Sequence, residues 1–206
     1  MIASLSVKGL IPASSWVKPL LIIVGAMAIM LSAATGARSS WIYAKAAVAQ
    51  HLLDTAWNRS LFTGQPSKPW HWADIATVGR LDVPMSGKSF IVLSDASGEA
   101  MAFGPGLVAG KIDQLDTHTI AIGGHRDTHL AFLEHLPVGT HLRLQNTAGH
   151  WQNYAITQKE IVNTLTQSLK ISEHQPGLVL ITCYPFSAGQ IGGPLRLVVQ
   201  AALLIS

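Results

Sequence analysis

Three side chains in this sequence have the chemistry and spacing that acyl transfer through a thioester requires. Cys183 ends an apolar run, residues 177–182, and Arg196 lies at the start of the next apolar run, thirteen residues further on. His125 follows a third apolar segment and a Gly-Gly pair. A thiol attacks a carbonyl group as its thiolate, and positive charge from a nearby histidine and arginine lowers the pKa of the thiol. We therefore predict that Cys183 is a nucleophile.

The other two residues fit the remaining steps of such a reaction. An imidazole such as that of His125 can protonate a leaving amine and later deprotonate an incoming nucleophile. Arg196 cannot act as a base near neutral pH because its guanidinium stays protonated. We expect Arg196 to hydrogen-bond the substrate carbonyl and the oxyanion that forms there.

Each residue also has a structural interpretation. Cys183 is the only cysteine in the chain, so it cannot form an intramolecular disulfide, and free cysteines are most often small buried hydrophobic residues. A histidine after two glycines can simply cap a turn, and an arginine at a strand start is commonly a solvated edge residue. The combination of Cys183, His125 and Arg196, rather than any one of them, favours catalysis.

A metal site is the sharpest competing hypothesis. His125 and His129 stand four residues apart, with Glu134 and His135 downstream, and this spacing is typical of zinc peptidases. However, Arg126 occupies the position of the glutamate base of those enzymes. We predict no metal and no cofactor, and we expect His129, Glu134 and His135 to be solvent-facing helix residues.

The elements that must position these residues are mostly short strands. Apolar, β-branched runs separated by Gly- and Pro-rich turns predict an all-β barrel or sandwich. Within the globular part of the chain, from about Trp70 onward, a helix is predicted in only two places, around 101–108 and 130–136. If the strands that flank residues 184–194 pair antiparallel, Cys183 and Arg196 share one end of the sheet. The predicted strands are 74–81, 89–94, 118–122, 141–145, 152–162, 177–183 and 195–204.

Length and composition indicate one globular domain with an apolar appendage. The chain has 206 residues, and charged residues make up 12% of it, against about 25% in typical soluble domains. The net charge of +3 is scattered along the chain without a basic run, so the sequence gives little support to nucleic-acid binding.

The appendage lies near the amino terminus. Residues 19–37 carry no charge and have the length of about 20 residues that crosses a bilayer as a helix. Trp41 and Tyr43 follow it as interfacial anchors would. We predict an uncleaved signal-anchor, and the small residues 32–37 leave a cleaved signal peptide as the alternative. Both interpretations place the rest of the chain outside the cytoplasm.

These patterns predict four parts along the chain. Residues 1–18 are a cytoplasmic tail and 19–37 a transmembrane helix. Residues 38–69 are an Ala-rich juxtamembrane helix with a linker that contains Gly64, Pro66 and Pro69. The globular domain is residues 70–206.

From about Trp70 to the end, the sequence resembles the sortase family, the cysteine transpeptidases of bacterial envelopes. The resemblance depends on the histidine of IGGHRD, the cysteine of LITCYPF and the arginine of GGPLRLVV, in that order. An amino-terminal signal-anchor also fits. The CYPF and GGPLR contexts are most similar to sortases of Gram-negative, often marine, proteobacteria, which implies the inner membrane with the catalytic domain on the periplasmic side.

The resemblance implies an eight-stranded β-barrel in which Cys183 is the nucleophile, His125 the general acid and base, and Arg196 the oxyanion or substrate stabiliser. It implies that Thr182 helps to shape the substrate groove. The implied substrate is a protein with a carboxy-terminal LPxTG-like signal, which is cleaved between Thr and Gly and passed to an amine. The loop 163–175, with Leu165, Leu169 and Ile171, occupies the stretch that contacts this signal in sortases, although core packing explains these apolar residues equally well.

Two other functions remain compatible with the sequence. A thiol peptidase that releases the acyl group to water would use the same residues and would differ only in access of the acceptor. A membrane-tethered binding barrel with an inert cysteine would belong to a different class of protein.

Overall fold

The computed structural model describes residues 17–169, 171, 175–187 and 192–204. Most of the predicted tail, 1–18, and parts of the two loops that precede and follow Cys183 lie outside these residues. The chain divides into two compact units, residues 1–47 and 48–206.

The first element is a long helix, α1, Val17–Thr63. The composition of this segment explains why it is helical, because alanine, leucine and methionine favour helices and proline is absent from Leu20 to Gln65. The helix ends at Gly64, whose φ of +68° suits a glycine after a helix end.

The early part of α1 is strongly apolar. Within the described residues, Pro19–Gly36 is the one stretch long and apolar enough to cross a membrane, with a mean hydropathy of 2.0 and no buried residue. Such a stretch is typical of either a membrane anchor or a signal sequence.

The second unit contains a closed barrel of eight strands, ordered β1-β2-β3-β4-β7-β8-β6-β5. The predicted all-β barrel is therefore confirmed. Neighbouring strands pair antiparallel except for the parallel pairs β2–β3 and β4–β7. The strands are β1 Thr77–Val83, β2 Lys88–Leu93, β3 Gly106–Ala109, β4 Thr119–Gly123, β5 His141–Asn146, β6 Trp151–Asn163, β7 Gly177–Cys183 and β8 Leu195–Leu203.

The prediction of a helix around 101–108 is wrong. Only Ala100–Ala102 forms a 3-10 turn, and Gly106–Ala109 is strand β3. Pro105 disfavours a helical conformation for the residue before it and lacks the N–H that a continuing helix needs. The second predicted helix, 130–136, is a short 3-10 helix, Ala131–Glu134.

The barrel has an apolar interior and a second apolar cluster on its outer face. The side chains of Leu178 and Leu180 belong to the interior core, whereas Val179 belongs to the outer cluster. Since side chains alternate along a strand, Cys183 continues the outer row of β7. The outer cluster consists of Ala121, Val162, Val179 and Val198, with Ala109, Leu169, Ile171 and Ile181 packed against it.

The last turns of α1 belong to the same unit as the barrel. Leu53 is buried in a cluster with Ile75 and Leu93. The hydroxyl groups of Ser60 and Thr77 are hydrogen-bonded at 2.7 Å. The carboxyl-terminal part of the helix is therefore fixed to the start of β1.

Candidate active site

Cys183 and Arg196 are direct partners in the antiparallel β7–β8 ladder. Opposite residues of an antiparallel pair present their side chains on the same face, with Cβ atoms about 4.5–5.5 Å apart. Tyr184 donates its backbone N–H to the Leu195 carbonyl at 3.0 Å, which closes the ladder just beyond the pair. The thiol and the guanidinium therefore start from adjacent positions at one end of the sheet, as the sequence predicted for antiparallel strands.

His125 reaches the same end from a neighbouring strand. Strand β4 runs parallel to β7, with Gly123 level with Ile181. If that register continued by two residues on each strand, His125 would be level with Cys183. The Gly124 N–H donates to the Ile181 carbonyl at 3.1 Å, so the strands are still in register one residue past the end of β4.

The Gly-Gly pair before His125 is required by close packing. A Cβ atom on Gly124 would lie 2.8 Å from the Leu130 side chain, and one on Gly123 would lie 2.9 Å from the Val108 side chain. Leu130 also donates its backbone N–H to the His125 carbonyl at 3.0 Å, which folds the chain back after the histidine. The glycines therefore let the His125 segment lie directly against the barrel.

Thr182 connects the His125 segment to β7. Its hydroxyl donates to the Gly124 carbonyl at 2.8 Å, and both residues are buried. Thr182 faces the opposite side of the strand from Cys183. It can therefore influence the outer face only through the backbone that it fixes.

Arg196 is held by backbone carbonyl groups. Its Nη1 donates to the Gly193 carbonyl at 2.7 Å and to the Leu195 carbonyl at 2.9 Å. Within the described residues its other guanidinium nitrogens have no hydrogen-bond partner, so they keep N–H donors for a ligand. Cys183, His125 and Arg196 are all half-buried, which leaves each of them accessible from the outer face.

A groove crosses the outer face on the side toward the start of β7. A cavity of about 220 Å³ lies between the loop residues Leu169 and Ile171 and the strand residues Val179 and Val198. Leu169 and Ile171 both line this cavity and pack against the outer cluster. Leu165 does not, because it is 80% exposed.

Arg126 is a further residue of this region that the sequence pattern does not single out. Its Nη1 donates to the Pro185 carbonyl at 2.6 Å, which joins the residue after His125 to the loop after Cys183. The only signal in the sequence is that an arginine directly follows the candidate histidine.

The prediction that His129 faces solvent is wrong. It is half-buried, and its ring lies edge-on to the Phe90 ring with centroids 6.2 Å apart. Burial lowers the pKa of His129, the nearby His125 lowers it further, and Asp127 opposes both effects. The cause of the wrong prediction is that the expected helix is a short 3-10 turn that begins only at Ala131.

Glu134, the last residue of that turn, and His135, which follows it, are exposed as predicted. Glu134 and His135 lie 3.6 Å apart at the surface. Within the described residues, no group of three or more His, Cys, Asp or Glu side chains is placed to hold a metal ion.

Comparisons with known proteins agree with the observed fold. A family model described as the sortase domain matches residues 81–204. No curated protein sequence matches the chain. Among solved structures, sortase A from Corynebacterium diphtheriae aligns with a TM-score of 0.55 and 18% identity, over 66% of this chain and 64% of that chain.

Two other sortase structures are similar to the same extent. Sortase C-1 from Actinomyces oris gives a TM-score of 0.54 and 19% identity, over 62% of this chain and 73% of that one. The sortase D5 transpeptidase of Clostridium perfringens gives a TM-score of 0.52 and 16% identity, over 62% of this chain and 79% of that one. At these identities the structures show a shared fold, and the match spans slightly less than two thirds of the Corynebacterium chain.

Proposed function

The chain belongs to the sortase family of cysteine transpeptidases, and we propose that Cys183, His125 and Arg196 are its catalytic residues. The observation that carries this proposal is the direct pairing of Cys183 with Arg196 in the β7–β8 ladder. Strand β4 runs parallel to β7 and ends two residues before His125, with Gly123 level with Ile181. This arrangement supports the proposal that a nucleophile, a proton carrier and a fixed cation act together at one end of the outer face.

The first half of the proposed reaction forms a thioester. The Cys183 thiolate attacks the carbonyl carbon of the scissile peptide bond, and the Arg196 N–H groups stabilise the oxyanion. The tetrahedral intermediate collapses, the C–N bond breaks, and protonated His125 gives its proton to the leaving amine. The acyl group stays on sulfur.

The second half resolves the thioester with an amine. His125, now neutral, takes a proton from the incoming amine as its nitrogen attacks the thioester carbonyl. The C–S bond breaks, a new amide forms, and the Cys183 thiolate is restored. Water in place of the amine would give hydrolysis through the same steps.

We propose that the substrate is a protein with a carboxy-terminal LPxTG-like signal, cleaved between Thr and Gly. The groove is lined by polar residues such as Gln175 and Gln200 and by the apolar side chains of Leu169, Ile171, Val179 and Val198. These apolar side chains suit the leucine and proline of such a signal, which gain by leaving water. The acceptor is an amine whose further structure is open. Thr182 contributes by fixing Gly124, and with it the approach to His125.

We propose that Pro19–Gly36 of α1 anchors the protein in the inner membrane of a Gram-negative cell. The span is supported by its length, its mean hydropathy of 2.0 and the exposed Trp41 and Tyr43 beyond it. In this proposal residues 1–18 are cytoplasmic, 19–37 span the membrane, 38–69 connect, and 70–206 are the periplasmic catalytic domain.

The test uses the full chain in detergent. It is incubated with an LPxTG peptide and with simple amines such as glycine peptides, and the products are weighed by mass spectrometry. We expect cleavage between Thr and Gly, a product that carries the added amine, and a peptide adduct on Cys183. The Cys183→Ala variant should give no product. Product formation by that variant would disprove the mechanism, and product without amine incorporation would indicate a hydrolase.

A further inference from the structure

We propose that Arg126 is a positioning residue that holds His125 level with Cys183. This inference rests on the proposed function, because it assumes that His125 acts on the Cys183 thiol. Arg126 would act through its hydrogen bond to the Pro185 carbonyl, at 2.6 Å, and not by touching the substrate.

The two segments are joined on both sides of the candidate pair. Before His125, the Gly124 N–H donates to Ile181 at 3.1 Å and the Thr182 hydroxyl donates to the Gly124 carbonyl at 2.8 Å. After His125, Arg126 donates to Pro185, two residues beyond Cys183. His125 and Cys183 therefore lie between two sets of hydrogen bonds that connect the same two segments.

The hydrogen bond of Arg126 matters because the β4–β7 ladder ends two residues before His125. The last paired residue of β4 is Gly123, and the backbone of Gly123-Gly124 is conformationally permissive. Strand pairing alone therefore does not fix His125. A bond from a charged donor is about twice as strong as a neutral one, and a misplacement of a catalytic group by about 1 Å can cost roughly 100-fold in rate.

Arg126 could instead influence the thiol by its own positive charge. A double-mutant cycle distinguishes the two mechanisms without any substrate. The pH dependence of Cys183 alkylation by iodoacetamide is measured for the wild type, Arg126→Met, His125→Ala and the double variant, all as the full chain. Arg196, Asp127 and His129 are present in all four proteins, so their charges cancel in the comparison.

We expect Arg126→Met to slow Cys183 alkylation near neutral pH in the wild-type background and to have no further effect in the His125→Ala background. An equal loss of rate in both backgrounds would overturn the proposal, because Arg126 would then act by its own charge. No loss of rate in either background would also overturn it. Arg59, an exposed arginine of α1, gives the matched control Arg59→Met, which should leave the profile unchanged.

Turnover of the LPxTG peptide provides the second measurement. We expect Arg126→Met to lower kcat by roughly 10- to 100-fold, in line with the cost of a small misplacement, with KM nearly unchanged. Arg126→Lys, which keeps the charge and one donor, should recover part of kcat. It also serves as the second variant if Arg126→Met fails to fold, which the thermal unfolding transition would show. A large rise in KM alone would mean that Arg126 contacts the substrate, and would overturn the proposal.

The outcomes separate this inference from the proposed function. If His125→Ala changes the thiol profile and Arg126→Met does not, only the positioning role fails. If the wild type leaves the peptide intact while the cycle shows coupling, the proposed substrate fails and the positioning role stands. If His125→Ala leaves the thiol profile unchanged, both fail.

Discussion

The hydroxyl of Thr182 donates to the carbonyl of Gly124 at 2.8 Å, between two neighbouring parallel strands. This bond extends the β4–β7 pairing past the last ladder residue, Gly123. The residue before Cys183 thus fixes the residue before His125. The resemblance assigned Thr182 to the substrate groove, and the geometry explains how a residue that is only 2% exposed could affect that groove.

We predict that Thr182→Val destabilises the protein by about 1–3 kcal/mol, because the buried Gly124 carbonyl loses its side-chain donor. The free energy of unfolding in urea measures this change. Thr182→Ser keeps the hydroxyl and is the control, since it should keep most of the stability that Thr182→Val loses. The turnover number of Thr182→Val should also fall, because the His125 segment is less well fixed. Equal stability of the Val and Ser variants would contradict this role of the hydrogen bond.

Arg196 gives a second prediction. Removing one oxyanion-stabilising donor group commonly lowers kcat by roughly 100- to 1000-fold, and we expect a loss of this size for Arg196→Ala. Arg196→Lys should lose less, because it keeps the charge, but should stay below the wild type, because it lacks the planar fork of donors. Steady-state kinetics on the LPxTG peptide measures both. If Arg196→Ala kept kcat within a factor of three, the proposed stabilisation would be wrong.

The parts of the barrel that the sequence predicted well are those encoded locally. The apolar runs that end at Cys183 and begin near Arg196 are bounded by glycine and proline, so the loop and its two strands are visible in the sequence. Strand β3 was missed because it has only four residues and a single register pair with β2, Leu93 with Gly106. Its strand character comes from pairing with β4 and not from its own pattern.

Contacts between distant loops could not be predicted in this way. The bond from Arg126 to Pro185 joins residues 59 positions apart, and it depends on the path of both loops. The burial of His129 depends likewise on Phe90, which comes from a different strand. The sequence around Arg126 and His129 therefore does not indicate that Pro185 and Phe90 are their partners.

The half-buried His129 predicts a pH dependence of stability. Burial, which disfavours the charged imidazolium, and the neighbouring His125 lower the pKa of His129 in the folded state, and Asp127 only partly offsets them. The unfolded chain, with a histidine pKa near about 6.5, then binds more protons than the folded one in the window just below that value. The contribution of neutral His129 to the free energy of unfolding is therefore fully present above about pH 6.5. It is lost as the pH falls toward the lowered pKa of His129 in the folded state.

We expect the free energy of unfolding of the wild type to fall between pH 7.5 and pH 5.5 more steeply than that of His129→Gln, which has no proton to bind. Urea unfolding at the two pH values measures this difference. The exposed His135 supplies the control, because His135→Gln should keep the wild-type slope. A slope for His129→Gln equal to that of the wild type would show that His129 does not contribute to this dependence.

The groove on the outer face gives the last prediction, and two leucines of one loop make a matched pair to test it. Leu169 lines the groove and packs against the outer cluster, whereas Leu165 is 80% exposed. A carboxylate in place of the Leu169 side chain disfavours an apolar peptide segment, because the charge must lose water when the peptide binds. We expect Leu169→Asp to raise KM for the LPxTG peptide at least about 10-fold, which corresponds to about 1.4 kcal/mol.

Leu165→Asp adds the same charge to the same loop without entering the groove, so KM should stay within a factor of two of the wild type. The alkylation rate of Cys183 should be unchanged in both variants, because neither substitution touches the thiol or His125. Equal values of KM for the two variants would mean that the substrate does not use this groove. A fall in the alkylation rate of Leu169→Asp alone would instead mean that the loop supports the active site itself, and the effect on KM would then no longer identify a binding surface.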